Sequence, residues 1–265
     1  MSSAGSAPRP GTEAAARVAD VLLLFASGPD ALGVSEISRR LGLSKAVVHR
    51  ILRSLASRGL VSHDAESRSY GLGPAAAALG ARALAGLELR RVALPVLRRL
   101  QRETGETTTL SELVGTARVY LDQVPSLKEI KMTVEVGRPF PLHAGASSKA
   151  ILAFAPPEVR EHVLEGPLEA LTPLTVTDRA RLEVELGQIR ESGTAVSCGE
   201  RQSGAGSVAA PVIGVDGYAV GSISVCGPVD RFGEETVERM RPLVLEAARG
   251  ISRVLRGEAV DGRRG

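Results

Sequence analysis

The chain has 265 residues, a formal net charge of +3 and 43% hydrophobic residues, which are ordinary values for a globular protein with a real core. No apolar run is long enough to cross a bilayer, and Met1 to Gly11 lacks a signal-peptide hydrophobic segment, so we expect a cytoplasmic protein with no membrane partner. The two cysteines, Cys198 and Cys226, are too few for a disulfide framework, and no histidine or cysteine spacing is typical of a metal site.

The positive charge is concentrated between residues 34 and 62. Six basic residues stand there against a single acid, Glu36, which gives this segment a local net charge of +5. The distribution of charge is more informative than its total, because a basic patch on one compact unit is typical of nucleic-acid binding.

Three short helices are predicted around this basic segment. The first covers Thr12 to Ala26 with Thr12 as its N-cap, and the second is capped by Ser35 and ends at Gly42. The third begins at the N-cap residue Ser44 and ends before Gly59. Two helices joined by so tight a turn predict a helix-turn-helix unit.

The third helix has two different faces. At 100° per residue, one face is apolar and consists of Val47, Val48, Ile51, Leu52 and Leu55. The opposite face carries no acid and is mostly cationic, which suits the major groove of DNA. We assign Lys45 and Arg50 to base edges or nearby phosphates, and Arg39, Arg40 and Arg53 to phosphates. For a basic helix taken alone, the alternative is a merely solvated face.

A β-hairpin is predicted directly after the third helix. Residues 60–63 and 68–72 read as two short strands around a polar turn, so the segment is interpreted as a winged helix-turn-helix. The wing is expected to contact the DNA backbone or minor groove, mainly through Arg68. The candidate DNA-binding residues are Arg39, Arg40, Ser44, Lys45, Ala46, His49, Arg50, Arg53 and Arg68.

The remaining two thirds of the chain mix helices and strands, which predicts an α+β fold. Pro74 opens an Ala- and Leu-rich helix. Further helices are predicted at residues 87–103, 178–191 and 234–255, with a loop entering another helix at 143–154. Strands are predicted at residues 107–114, 118–124, 130–136, 194–198, 208–215 and 218–225.

Several motifs together resemble the IclR family of bacterial transcriptional regulators. They are ISRRLGLSK at Ile37 to Lys45, VHRIL at Val48 to Leu52, YGLGP at Tyr70 to Pro74, PLHA at Pro141 to Ala144, AAPV at Ala209 to Val212 and ISVCGP at Ile223 to Pro228. The resemblance implies three parts: a winged helix-turn-helix domain at 12–73, a linker and dimerisation helix at 74–90, and a GAF-like effector-binding domain at 91–256. It also implies a homodimer or tetramer on a roughly palindromic double-stranded DNA operator.

The small-molecule site is expected where residues 144–149 enter a helix. Free backbone N–H groups at a helix N-terminus attract carboxylates, so a small organic acid would fit beside Gly145, Ala146 and Ser147. The family resemblance adds four residues to this effector-binding set, namely Ser197, Ser207, Ser224 and Cys226. The alternative is that these small residues only allow close packing of strands and helix.

The sequence therefore predicts a ligand-responsive transcriptional regulator, with repression expected over activation, and no enzyme activity, cofactor or metal. One rival is a small-molecule enzyme with a basic accessory domain, but His143 with Ser147 or Ser207 lacks a GxSxG elbow and an obvious orienting acid. The glycines between 199 and 206 lack the GxxxxGK[ST] order of a phosphate loop. A second rival is a constitutive DNA-binding structural protein, which would have no need of a ligand pocket.

Overall fold

The computed structural model describes residues 12–258, without the side chains of residues 27, 85 and 86. The stretch Met1 to Gly11, on which the signal-peptide argument was based, lies outside these residues. The chain divides into two compact units, with the division between Ala83 and Leu84. The predicted α+β architecture is confirmed. No helix within residues 12–258 is long and apolar enough to span a membrane.

The first unit contains the predicted three helices and hairpin. Its elements in chain order are α1 (Glu13–Ser27), β1 (Leu32–Gly33), α2 (Val34–Leu41), α3 (Lys45–Ala56), β2 (Val61–Asp64) and β3 (Ser69–Leu72). A further helix, α4 (Pro74–Gly86), crosses the division between the units. The three strands form an antiparallel sheet in the order β1-β3-β2. The strand β1 was not predicted, because two residues carry no alternation to detect.

Two of the three predicted N-caps are confirmed and one is wrong. The hydroxyl oxygen of Thr12 accepts from Ala15 N–H at the start of α1, and that of Ser44 accepts from Val47 N–H at the start of α3. The helix α2 begins one residue before the predicted cap Ser35, and its N-cap is Gly33, which has no side chain to accept a hydrogen bond. Gly42 ends α2 with φ at +64°, the left-handed conformation in which glycine has no Cβ penalty.

The second unit is built on a six-stranded antiparallel sheet in the order β6-β5-β4-β9-β8-β7. Its strands are β4 (Thr107–Val114), β5 (Ala117–Val124), β6 (Pro139–Pro141), β7 (Ala195–Cys198), β8 (Ala205–Ile213) and β9 (Ala219–Pro228). Its helices are α5 (Glu88–Thr104), α6 (Ala146–Ala153), α7 (Pro157–Glu165), α8 (Arg179–Ser192) and α9 (Glu234–Leu255). Of these, α7 was not predicted.

Helices cover both faces of this sheet. One apolar cluster joins α5 and α9 to the sheet and includes Val208 and Ala210. The other joins α6, α7 and α8 to the opposite face and includes Ala209. Consecutive residues of β8 therefore enter different cores, as the period of two along a strand requires. Because both faces are covered, β8 lacks the alternation of apolar and polar residues shown by half-exposed strands.

The strand predicted at residues 130–136 is wrong. This segment lies outside the sheet, and its backbone is held by side chains of the sheet instead. Thr107 Oγ1 donates to Met132 O at 2.7 Å, and the Gln123 side chain exchanges two hydrogen bonds with the backbone of Val134, at 2.7 and 2.9 Å. These bonds satisfy polar backbone groups that a neighbouring strand would otherwise satisfy. We call residues 129–138 the strap.

Candidate DNA-binding surface and ligand cavity

The helix α3 presents its cationic face to solvent. Its apolar face anchors it in the core of the first unit through Val48, Ile51, Leu52 and Leu55, all of which are buried. The six predicted DNA-binding residues of this region are all exposed: Ser44, Lys45, Ala46, His49, Arg50 and Arg53. A cationic face buried in the interior would have excluded contact with DNA, so this exposure is the first requirement for such a role.

The basic side chains of the first unit differ in whether an acid already pairs with them. Among residues 12–258, Lys45, Arg50 and Arg53 have no salt-bridge partner. In contrast, the carboxylate of Glu36 accepts from Arg39 Nη2 at 2.7 Å and from Arg40 Nε at 2.6 Å. These hydrogen bonds, from Arg39 first and then Arg40, hold the pKa of Glu36 below its usual value. The charge available to phosphates therefore lies mainly on α3.

Substitution of Glu36 tests the predicted phosphate role of Arg39 and Arg40. Glu36→Gln removes the negative charge that offsets both guanidinium groups, so we expect DNA affinity to rise by about three- to tenfold and the salt dependence to steepen by about one to two phosphate equivalents. Fluorescence anisotropy over a range of salt concentrations measures both. The matched control is Glu13→Gln, which releases Arg17 from an exposed pair on α1 and is expected to change little. Unchanged affinity in Glu36→Gln would remove both arginines from the interface.

Arg68 lies at the tip of the hairpin. It is exposed and has φ at +52°, the one positive φ of a non-glycine residue within residues 12–258. The Asp64 carboxylate stabilises this turn by accepting from Glu66 N–H at 3.0 Å and from the Ser67 hydroxyl at 2.6 Å. The side chain of Arg68 is thus carried on an ordered turn at the end of the wing, where the sequence predicts a DNA contact.

A small cavity in the second unit brings the predicted effector-binding residues together. All seven line the same space, although they come from α6 and its N-cap and from β7, β8 and β9: Gly145, Ala146, Ser147, Ser197, Ser207, Ser224 and Cys226. The cavity has a volume of about 30 Å³, which is room for about two water molecules. Met132 to Val134 of the strap line it as well. The role of the seven predicted residues in ligand binding stays a prediction.

The N-terminus of α6 is not as free as the sequence predicts. Gly145, with φ at +87°, donates its N–H to Glu200 Oε2 at 3.2 Å. Glu200 also accepts from the buried Lys149 Nζ at 2.6 Å, and Lys149 donates to Glu185 at 2.9 Å. A carboxylate of the chain itself therefore occupies part of the site predicted for the ligand's carboxylate.

Two arginines line the cavity that the sequence analysis did not select. Arg118 comes from β5 and is almost completely buried, while Arg201 follows β7 and is half-buried. The signal for Arg118 was its position, since an arginine two residues before Tyr120 in a predicted strand places both side chains on one face. Nothing local to the sequence places Arg201 against that face.

Cys226 contributes no negative charge to the cavity. Burial raises the pKa of its thiol to about 12, so it remains protonated at neutral pH. The pKa of Cys198 is also raised, by partial burial and by the charge of Glu200. Neither cysteine has the low pKa of a reactive thiol.

The environment of His143 gives it a structural role. The ring is buried and its Nε2 lies 2.8 Å from the backbone oxygen of Glu169, so the ring links the residues before α6 to the segment between α7 and α8. Among residues 12–258, no hydrogen bond joins His143 to Ser147 or Ser207. Within the same range, no three acidic, histidine or cysteine side chains are grouped to hold a metal ion.

Two family profiles match the chain. The IclR helix-turn-helix domain matches residues 14–65, and the profile described as bacterial transcriptional regulator IclR C-terminal matches residues 81–253. The chain belongs to the IclR family. The resemblance noted in the sequence is therefore confirmed, and the protein is a transcriptional regulator with a DNA-binding domain and a C-terminal effector domain.

Curated relatives of this IclR-family protein are also named as regulators. The HTH-type transcriptional regulator BhcR of Paracoccus denitrificans is 37% identical over 243 residues, which are 91% of this chain and 87% of that protein. The glycerol operon regulatory protein of Streptomyces griseus is 39% identical over 216 residues, 82% of this chain and 85% of that protein. Neither is named as an enzyme.

Solved structures of IclR proteins share the fold. An IclR transcriptional regulator from Silicibacter sp. TM1040 has a TM-score of 0.82 and 30% identity, and the match covers 95% of this chain and 100% of that one. An IclR homologue from Microbacterium hydrocarbonoxydans, crystallised with 4-hydroxybenzoate, has a TM-score of 0.72 and 31% identity, with 93% and 100% covered. That homologue therefore binds an aromatic carboxylic acid under crystallisation conditions.

Proposed function

We propose that this IclR-family regulator is a repressor that binds a palindromic operator as a homodimer or tetramer and responds to a small organic acid. The observation that carries DNA binding is the face of α3, where Lys45, Arg50 and Arg53 are exposed and pair with no acid among residues 12–258. The N-terminal residues of such a helix reach base edges in the major groove, and guanidinium groups donate to guanine. In this proposal Arg39, Arg40 and Arg53 contact phosphates, and the wing residue Arg68 contacts the DNA backbone or the minor groove.

The proposed domain organisation follows the family. Residues 12–73 bind DNA, 74–90 form a linker helix that helps dimerisation, and 91–256 form a GAF-like effector-binding domain. Within that last domain the cavity is the effector site, and the protein works in the cytoplasm, where bacterial operators lie. Ligand binding shifts the balance between two states only by its difference in affinity for them.

Genomic fragments presented to the purified protein at physiological salt test the DNA-binding part. We expect one or a few fragments to be retained in a gel shift, and footprinting to show two half-sites related by a two-fold axis. Retention of all fragments alike would contradict a specific regulator. Transcription in vitro from the retained promoter then separates repression, which lowers transcript yield, from activation, which raises it.

A panel of small acids added to the protein–DNA complex tests the ligand response. An acid that binds the folded effector domain raises the melting temperature and, in this proposal, changes the affinity for the retained fragment. Operator binding that no small molecule alters would support the rival role of a constitutive DNA-binding protein. The genes beside the retained promoter guide the choice of acids.

A further inference from the structure

Two positively charged side chains, Arg118 and Arg201, line the cavity of the second unit. Arg118 is almost completely buried and makes three hydrogen bonds, all to neutral oxygens. Its Nε donates to Ser148 Oγ at 2.7 Å, its Nη1 to Ser111 Oγ at 3.0 Å and its Nη2 to Tyr120 OH at 3.0 Å. A guanidinium group has five N–H donors, so two of them are not used by these bonds.

Arg201 lies over the same two aromatic rings as Arg118. The guanidinium carbon of Arg201 lies 4.9 Å from the centre of the Phe140 ring, and that of Arg118 lies 5.1 Å from it. The two also share Tyr120, at 5.9 Å and 4.2 Å respectively. Burial lowers the pKa of Arg118, and the neighbouring charge of Arg201 lowers it further, although an arginine stays protonated in proteins.

Neither Arg118 nor Arg201 forms a salt bridge with any carboxylate in residues 12–258. The two nearby acids have other partners, because Glu200 pairs with Lys149 and Glu106 pairs with Lys128 and Arg231. The thiol of Cys226 is uncharged, as shown above. Buried charges in proteins are normally paired, so the buried guanidinium of Arg118, with the half-buried Arg201 on the wall of the same cavity, favours an anion as the ligand.

We propose that Arg118 and Arg201 are the pair that binds the carboxylate of the small organic acid proposed above. The proposal rests on that proposed function, since it assigns the residues that recognise the ligand at the same site. It differs from the expectation drawn from the sequence, which placed the carboxylate at the N-terminus of α6, where Gly145 N–H is already bonded to Glu200. Because the cavity is small, the shortest carboxylates are the first ligands to test.

Paired ligands test the charge requirement without knowledge of the natural effector. The thermal unfolding of the full chain is followed with oxalate and oxamide, malonate and malonamide, and pyruvate and pyruvamide. Each pair has nearly the same shape and differs in charge. We expect at least one carboxylate to raise the melting temperature and its amide to have no effect. Amides that stabilise as well as their acids, or a panel in which no carboxylate stabilises, would overturn the proposal.

Substitutions assign the effect to the two arginines. Loss of a charge-assisted hydrogen bond to a carboxylate predicts that Arg201→Gln and Arg118→Gln weaken carboxylate binding by about 10- to 100-fold in calorimetry. Arg118→Lys keeps the charge and is expected to restore part of the affinity. Because Arg201 makes no hydrogen bond to residues 12–258, Arg201→Gln should fold and decide the question even if Arg118→Gln does not.

The matched control is Arg138→Gln. The guanidinium carbon of Arg138 also lies over the Phe140 ring, at 5.5 Å, but Arg138 is exposed and paired with Glu135. Full carboxylate affinity is expected in this variant. Equal loss in Arg138→Gln and Arg201→Gln, or no loss in either position of the pair, would refute a specific anion site.

Operator binding by the same variants separates this inference from the proposed function. We expect ligand-free Arg201→Gln to bind the operator like the wild type and to lose its response to the carboxylate. A carboxylate that binds through both arginines without altering DNA affinity supports the anion site and contradicts the regulatory role of the ligand. If neutral ligands alter DNA affinity and still do so in both variants, the result supports the regulatory role of a ligand and contradicts the anion site.

Discussion

Arg50→Glu is expected to weaken specific operator binding by about 100-fold at physiological salt. A guanidinium group bonded to a guanine edge or a phosphate contributes about 1–3 kcal/mol, and the substitution replaces that attraction by repulsion from the phosphates. In the proposed dimer the loss occurs at both half-sites, so the effects on the two recognition helices combine. Anisotropy titrations at several salt concentrations should show weaker affinity together with a shallower salt dependence.

Controls for this prediction exclude misfolding and general charge effects. Arg50 is exposed and makes no hydrogen bond or ion pair with residues 12–258, so the melting temperature should not change. Arg239→Glu makes the same charge change at an exposed position on α9, outside the proposed DNA-binding domain, and should leave operator binding nearly unaltered. Wild-type affinity in Arg50→Glu would show that this residue does not contact DNA.

Gly221→Ala is expected to lower the free energy of unfolding of the second unit by about 3 kcal/mol or more, because the added methyl group has no room. Gly221 lies in β9 opposite β4, and a Cβ atom there would be 2.2 Å from the backbone oxygen of Ser111 and 3.3 Å from Leu89 Cδ2. The first neighbour is backbone of the central strand pair, so relief requires separating β4 from β9. Chemical denaturation measures the loss.

Gly250→Ala is the matched control for Gly221→Ala. It introduces the same methyl group in the same unit, but Gly250 lies inside α9 and its Cβ would meet no atom within 4 Å. Alanine is the better helix former, so this variant should be more stable by about 0.5–1 kcal/mol. If Gly221→Ala were as stable as the wild type, the close approach of β4 and β9 would be wrong.

Whether a prediction from the sequence was correct depended on how far apart in the chain the interacting residues lie. Signals that act within a turn or two were read correctly, such as the cap at Ser44, the left-handed end of α2 at Gly42 and the two faces of α3. The N-cap predicted at Ser35 was wrong because serine also occurs in the first turn of a helix. The backbone conformation of Gly33 decides where α2 begins. The strand predicted at residues 130–136 was wrong because the apolar residues of this segment resemble those of a strand.

The sequence by itself determined the DNA-binding helix, since the spacing of its apolar residues fixes which side is buried and leaves the cations on the other. Of the seven predicted cavity residues, Gly145, Ala146 and Ser147 were predicted from the start of a helix, and the other four from the resemblance to the family. Only the tertiary structure decided that Arg118 and Arg201 lie over the same two rings, Tyr120 and Phe140, in one cavity. It also decided that Glu200 accepts a hydrogen bond from Gly145 N–H. Contacts between residues so far apart in the chain depend on how the strands and helices pack, and no local pattern encodes that packing.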